Sequence, residues 1–170
     1  LYHAAIPLNQ DGSFTEIDVC GERVKGKALM DRIDQVIRMA YYGEGKEKED
    51  ALDYMLYLWQ GEHSPLYNKD RMTTFERYFI ADKQTHEEKK GAYFNLSDDE
   101  CTCNNILKEF GLNPATGRII NGHVPVRTIK GETPIRANGK RFVIDGGFSK
   151  PYQEKTGIAG YTLIYNSHGI

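Results

Sequence analysis

Two histidines sit where a chain can hand a side chain to a ligand. His123 follows the apolar run Arg118-Ile119-Ile120-Asn121 and Gly122, and it precedes Val124-Pro125. His3 has a similar setting, with Leu1-Tyr2 before it and Ala4-Ala5-Ile6-Pro7 after it. Loops at the carboxyl ends of strands are where open sheets place ligands. Neutral imidazole is also the commonest metal ligand among titratable side chains. For each histidine alone, a buried and hydrogen-bonded ring is the competing reading. His63, His86 and His168 lack this setting, and His86 lies in a polar stretch that reads as solvated surface.

A second group of residue types suits anions. Lys69, Arg71 and Arg77 fall in a segment rich in turn residues, 64–78. Arginine grips phosphate oxygens as a fork and lysine as a point charge. Three surface cations beside Asp70 and Glu76 would look the same. In Asp145-Gly146-Gly147-Phe148-Ser149-Lys150-Pro151-Tyr152, an aspartate closes an apolar strand. A loop then offers the amine of Lys150 and the phenol of Tyr152, which would suit a wall around an anionic ligand; a plain hairpin turn is the alternative. Cys101-Thr102-Cys103 is not a C-x-x-C pair, and no nucleotide-binding or nucleophile-elbow motif is present.

The elements that must position these groups divide by composition. Leu29, Ile33, Val36, Ile37 and Ala40 recur at helical spacing, with Gly43 as a stop. Leu52, Met55, Leu56 and Trp59 predict the inward face of a second helix that begins in the charged run 46–50. Ser97 and Glu100 predict a capping box for a third helix, lined by Cys103, Ile106, Leu107 and Phe110 and ended by Gly111. A weaker helix is expected over 75–81. Ten of the 17 glycines fall in the last sixty residues, where 118–121, 141–145 and 161–165 read as strands. Leu1-Tyr2 reads as the end of a fourth.

Charge and hydropathy narrow the partners. Lys+Arg 22 against Asp+Glu 24 gives a net charge of −2, which argues against a nucleic-acid binder held by bulk charge. No apolar run approaches the roughly 20 residues of a membrane helix, so no membrane partner is expected. Three cysteines, an odd number, suggest a reducing compartment.

Asn121-Gly122-His123-Val124-Pro125-Val126, followed by Val143-Ile144-Asp145-Gly146-Gly147-Phe148-Ser149-Lys150, resembles a known family. So do Ser64-Pro65-Leu66, Thr74-Phe75-Glu76-Arg77-Tyr78-Phe79-Ile80 and the run 156–167. These stretches are similar to the class III (Firmicutes-type) fructose-1,6-bisphosphatases, a branch of the calcineurin-like metallophosphatase superfamily. The resemblance implies an α/β (α+β) fold, the carboxyl-terminal part of an αββα sandwich with a helical insertion. On that reading 1–170 is the later part of a catalytic domain. It comprises a strand and metal-ligand loop over 1–8, a mainly helical insertion over 27–110, and a strand-rich part with the second ligand loop over 116–170.

The resemblance further implies that His3 and His123 are metal ligands of a binuclear Mn²⁺ or Mg²⁺ centre. The superfamily's early motifs GD-x-HG, GD-x-x-DRG and GNH[DE] are absent, and the general acid belongs to the last of these, so no general acid is assigned. The implied reaction is hydrolysis of fructose 1,6-bisphosphate to fructose 6-phosphate in bacterial, cytoplasmic gluconeogenesis. Residue type makes Lys150 and Tyr152 candidates for contacts to substrate, and Lys69, Arg71 and Arg77 candidates for gripping the unreactive phosphate. The chain alone is expected to be inactive and to expose an apolar sheet face or edge, covered by a homo-oligomer or by an N-terminal half. Two other readings stand beside this one, a non-catalytic sugar-phosphate-binding or assembly module and a metallophosphatase with another substrate.

Overall fold

The spacing of apolar residues in the first hundred positions builds a helical pair. In a computed structural model describing residues 1–169, Leu29, Ile33, Val36 and Ala40 are buried along one stripe of α1 (Gly26–Tyr42). A stripe of this period is what an amphipathic helix needs to face a core. The chain divides into two compact units, Ala5–Leu96 and, separately, Leu1–Ala4 with the chain from Ser97. The mixture of helices with small parallel and antiparallel sheets is an α/β class.

In the unit Ala5–Leu96, the antiparallel hairpin of β1 (Ile17–Val19) and β2 (Glu22–Val24) lies against α1. Cys20 and Gly21 form its two-residue turn with φ of 53° and 83°. Both positions need left-handed backbone, the geometry of a tight hairpin. Sequence reading missed this hairpin because Cys-Gly is a weak turn signal and each strand is only three residues long. The core joins Ile17, Val19, Leu29, Ile33, Val36 and Ala40 to Ala51, Tyr54 and Leu58 of α2 (Gly45–Gln60).

That last set corrects the expected face of α2. Leu52, Leu56 and Trp59 are exposed, as is Met55 to a smaller degree, while Ala51, Tyr54 and Leu58 turn inward. Both sets keep helical period and lie about 100° apart around the axis. Small Ala51 lets the hairpin turn approach, with the Cys20 thiol 4.0 Å from the Asp50 carbonyl. The weak helix appears as α3 (Thr74–Phe79), with no buried residue. A four-residue helix, α4 (Tyr93–Leu96), ends this unit.

The other unit holds α5 (Glu100–Glu109), with Cys103, Ile106 and Leu107 buried as expected. Its cap differs from expectation. Asp99 is the N-cap and accepts the Thr102 amide at 2.8 Å. Ser97 lies two residues too early and is buried, its carbonyl taken by the Cys103 thiol and Arg141 Nε. Gly111 follows the helix at φ 70°, the left-handed C′ position that glycine fills without strain.

After α5, β3 (Ile119–Asn121) runs parallel to β5 (Arg141–Val143), and β4 (Ile135–Arg136) pairs antiparallel with β5, in the order β3-β5-β4. The predicted strand over 161–165 does not form. Ile164 and Tyr165 stand exposed with no strand beside them, and alternation alone cannot make a strand without a ladder to join. Leu1-Tyr2 is likewise no strand. The Tyr2 amide donates to Ile120 O at 3.2 Å and the Gly122 amide to His3 O at 2.8 Å. Lys150–Thr156 forms α6, with Pro151 in its first turn; the loop expected to carry Lys150 and Tyr152 is therefore a short helix, since proline's fixed φ suits that position. No helix among the described residues is long and apolar enough to cross a membrane.

Candidate functional site

The carboxyl end of β3 brings together the two histidines that the sequence singles out. Asn121 is the last strand residue and Gly122 follows it, so His123 leaves the sheet at its rim. The His3 carbonyl, accepting the Gly122 amide, fixes the first segment beside that rim. As a result His3 Nε2 lies 3.1 Å from His123 Nδ1, although 120 positions separate them in sequence. Their rings meet nearly edge to face, with centroids 5.0 Å apart and planes at 71°.

The backbone at this point is strained. His123 has φ 71°, a region that costs an ordinary residue on the order of 1–3 kcal/mol. The Val124 amide donates back to Gly122 O at 2.9 Å, closing a three-residue turn of the rare positive-φ form. The turn aims the imidazole toward His3 instead of continuing the strand.

Beneath the pair, a buried polar network ties the two segments. Asn121, 2% exposed, donates from Nδ2 to Ala4 O at 3.0 Å and accepts Arg141 Nη1 at its Oδ1 at 3.4 Å. Arg141 also donates to Ser97 O and pairs with Asp98. A buried guanidinium needs such partners, because an uncompensated charge there is costly. Sequence reading missed Asn121 and Arg141 as positioning groups; only an amide directly before Gly122-His123 could have hinted at the first. Asp145 lies beside Gly122, where an added Cβ would meet its Oδ2 at 3.6 Å.

Two nitrogens this close can serve one metal. With metal–nitrogen bonds of about 2.1 Å, donors at right angles sit roughly 3.0 Å apart, near the observed separation. The hydrogen bond now shared by the rings would give way, because a metal needs both lone pairs. No group of three or more His, Cys, Asp or Glu side chains able to hold a metal occurs among the described residues. The pair therefore fits part of a coordination sphere.

A match along the whole length decides the family. The model of the Firmicute fructose-1,6-bisphosphatase family covers residues 1–170. This chain belongs to that family. It is 58% identical over 172 residues to the class 3 fructose-1,6-bisphosphatase of Bacteroides fragilis, 56% identical to that of Bacteroides thetaiotaomicron and 57% identical to that of Clostridium acetobutylicum. Each comparison covers 100% of this chain and 26% of the relative, so the chain spans about a quarter of the length of the curated relatives it matches. No solved structure matches it.

Within this member of the fructose-1,6-bisphosphatase family, the anion candidates fall into two places. Lys150 and Tyr152 stand exposed in the first turn of α6. Lys69 and Arg77 instead converge on Glu88, at 2.6 and 3.8 Å, while Arg71 pairs with Asp70 at the surface, at 3.3 Å. The Thr73 amide and hydroxyl each donate to Glu88 Oε1 at 3.0 Å. Burial works to raise the Glu88 carboxyl, but Lys69, the Thr73 amide and Tyr67 outweigh it and hold it down at about 2. In the other unit, burial pushes the Cys103 thiol up to about 11. That thiol is inert at neutral pH, as its place in the helix core suggested.

Proposed function

We propose that this chain supplies two imidazole ligands, His3 and His123, to a binuclear Mn²⁺ or Mg²⁺ centre of a fructose-1,6-bisphosphatase. The observation that carries the proposal is the 3.1 Å approach of two histidines 120 positions apart, in a chain whose whole length matches that family. The reaction is hydrolysis of fructose 1,6-bisphosphate to fructose 6-phosphate and phosphate, a step of gluconeogenesis in the bacterial cytoplasm. Three unpaired cysteines accord with a reducing compartment.

Bound metals of this kind supply a hydroxide near neutral pH and neutralise charge on the transferred phosphoryl group. Hard cations also take carboxylate and water oxygens, so further ligands must complete the centre. In this chain Asn121 and Arg141 hold the two imidazole-bearing segments in register, as outer groups do for metal-bound histidines. Lys150 and Tyr152 are proposed to contact substrate phosphate or sugar. Lys69, Arg71 and Arg77 are proposed for the unreactive phosphate, whose remote binding would supply specificity. Arg71 is the most readily available of these three, since a phosphate at Lys69 or Arg77 has to displace Glu88.

The test uses the longer family polypeptide that contains this chain, with the numbering used here. His123→Ala should lose at least half of the bound manganese, read by elemental analysis after gel filtration, and at least a hundredfold in phosphate release. Retention of both metal and activity would remove His123 from the ligand set. Loss of activity with metal retained would assign it to substrate or proton handling instead.

A further inference from the structure

Glu88 sits in a cage of donors suited to an anion. Its side chain is 12% exposed. Oε1 accepts the Thr73 amide and hydroxyl, each at 3.0 Å. Oε2 takes Lys69 Nζ at 2.6 Å, with Arg77 Nη2 at 3.8 Å, and the Tyr67 hydroxyl completes the set. Thr73 is 1% exposed, and Arg77 Nε donates to its hydroxyl oxygen at 3.0 Å, which ties two of the donors to each other. The charges do not balance, because two cations face one carboxylate. Lys69 also stands directly opposite Lys90 across an antiparallel bridge, where like charges repel. Both lysines line a cavity of about 210 Å³. With Lys89 they make three lysines against two acids on its wall, Glu62 and Asp70, and Asp70 is already engaged by Arg71.

The chain itself delivers Glu88 to this cage. Segment 74–87 leaves Thr73 and returns at Glu88, and neither α3 nor the turn Lys83–His86 within it buries a residue. The base of this arm is closed by the Thr73–Glu88 bonds and by Arg77 Nη2, which donates to His86 O at 3.1 Å. A carboxylate placed in this way is a tethered anion, with the high effective concentration that a short link confers.

We propose that Tyr67, Lys69, Thr73 and Arg77 form a binding site for a phosphate group, which Glu88 fills in the resting chain and vacates when phosphate enters. A phosphate monoester carries about two negative charges near neutral pH and three acceptor oxygens. It balances both cations and spreads the donors over more oxygens than a carboxylate offers. Expulsion of Glu88 breaks the bonds that close the arm, so phosphate entry loosens 74–87. The phosphate can be the unreactive group of the substrate or belong to a separate ligand. This assignment rests on the phosphate-gripping role of Lys69 and Arg77 and owes nothing to the histidine pair.

Calorimetric titration of the 170-residue chain in EDTA tests this, with inorganic phosphate in one series and fructose 6-phosphate in the other. The parent should bind weakly, because Glu88 competes. Glu88→Ala should bind at least tenfold more tightly, and Glu88→Gln, which keeps the shape without the charge, at least threefold. If circular dichroism shows Glu88→Ala unfolded, Glu88→Gln decides. Lys69→Gln added to either variant should abolish the gain. In the parent, saturating phosphate should quicken amide hydrogen exchange over 74–87 at least threefold relative to sodium chloride of equal ionic strength. Tighter binding of the sugar phosphate points to the substrate's unreactive group, and equal binding points to a separate phosphate ligand. The proposal is overturned if neither Glu88 variant gains affinity, if the gain survives Lys69→Gln, or if phosphate leaves exchange over 74–87 unchanged. Because EDTA withholds metal, failure of the metal assignment at His123 would leave these results untouched.

Discussion

Glu88 shows what side-chain type alone conceals. Lys69, Arg71 and Arg77 read as free cations near Asp70 and Glu76, yet the carboxylate that engages two of them lies 19 residues beyond Lys69. Pairing at that distance follows from the path of the backbone, not from local spacing. The ionisation of Glu88 makes this arrangement measurable. Its carboxyl falls from an ordinary 4.5 to about 2 in the folded chain, so the folded state binds the proton more weakly than the unfolded state. The resulting stabilisation is fully present above about pH 4.5 and is lost as pH falls toward about 2, on the order of 2 kcal/mol in all. Glu88→Gln should lower stability at pH 7 by that order and remove the parent's extra loss between pH 4.5 and 2. Urea melts of parent and variant across that range decide the matter; parallel pH profiles would show that Glu88 is not held in this way. The histidines were legible for the opposite reason, because each lies beside small residues at the end of an apolar run. Their 3.1 Å approach was not, since it depends on Asn121 bonding to Ala4.

At the scale of elements, periodicity located helices well and their orientations less well. Leu29, Ile33, Val36 and Ala40 of α1 are buried as their spacing predicts, whereas Ile37, expected on the same face, lies at its edge and is exposed. α2 carries apolar side chains on two overlapping faces, and packing against α1 and the hairpin selected Ala51, Tyr54 and Leu58. Caps pose a similar choice. Ser97 and Glu100 have capping-box spacing, but Asp99 is the residue in extended conformation directly before the helix, bonded to the Thr102 amide and hydroxyl at 2.8 and 3.1 Å. Asp99→Ala should therefore destabilise the chain by about 1 kcal/mol. Ser97→Ala should cost less than half as much, because the Ser97 hydroxyl is buried without a partner and its carbonyl makes the useful bonds. Equilibrium urea unfolding of both variants separates the two assignments, and the reverse order of cost would restore Ser97 as the cap.

Across the whole molecule, composition and motif gave the α/β class and the family, while the sheet proved smaller than the glycine-rich tail suggested. A strand needs a neighbour as well as an alternating sequence, and the residues over 161–165 have none beside them. The exposed apolar surface expected on a sheet is carried most plainly by helices, Leu52, Leu56 and Trp59 on α2 and Phe75, Tyr78 and Phe79 on α3. Donor count sets the final expectation. Two imidazoles provide at most two ligands, whereas a binuclear centre of hard cations calls for several oxygens besides, and no third protein donor joins the pair among the described residues. The purified 170-residue chain should consequently bind manganese weakly and release no phosphate from fructose 1,6-bisphosphate above the rate of a His3→Ala/His123→Ala control. The longer family polypeptide, assayed in parallel with the same metal and substrate, should turn over. Manganese-dependent release by the 170-residue chain within tenfold of the longer protein's rate would mean that these residues build a working centre unaided, and that the donor count has missed a ligand.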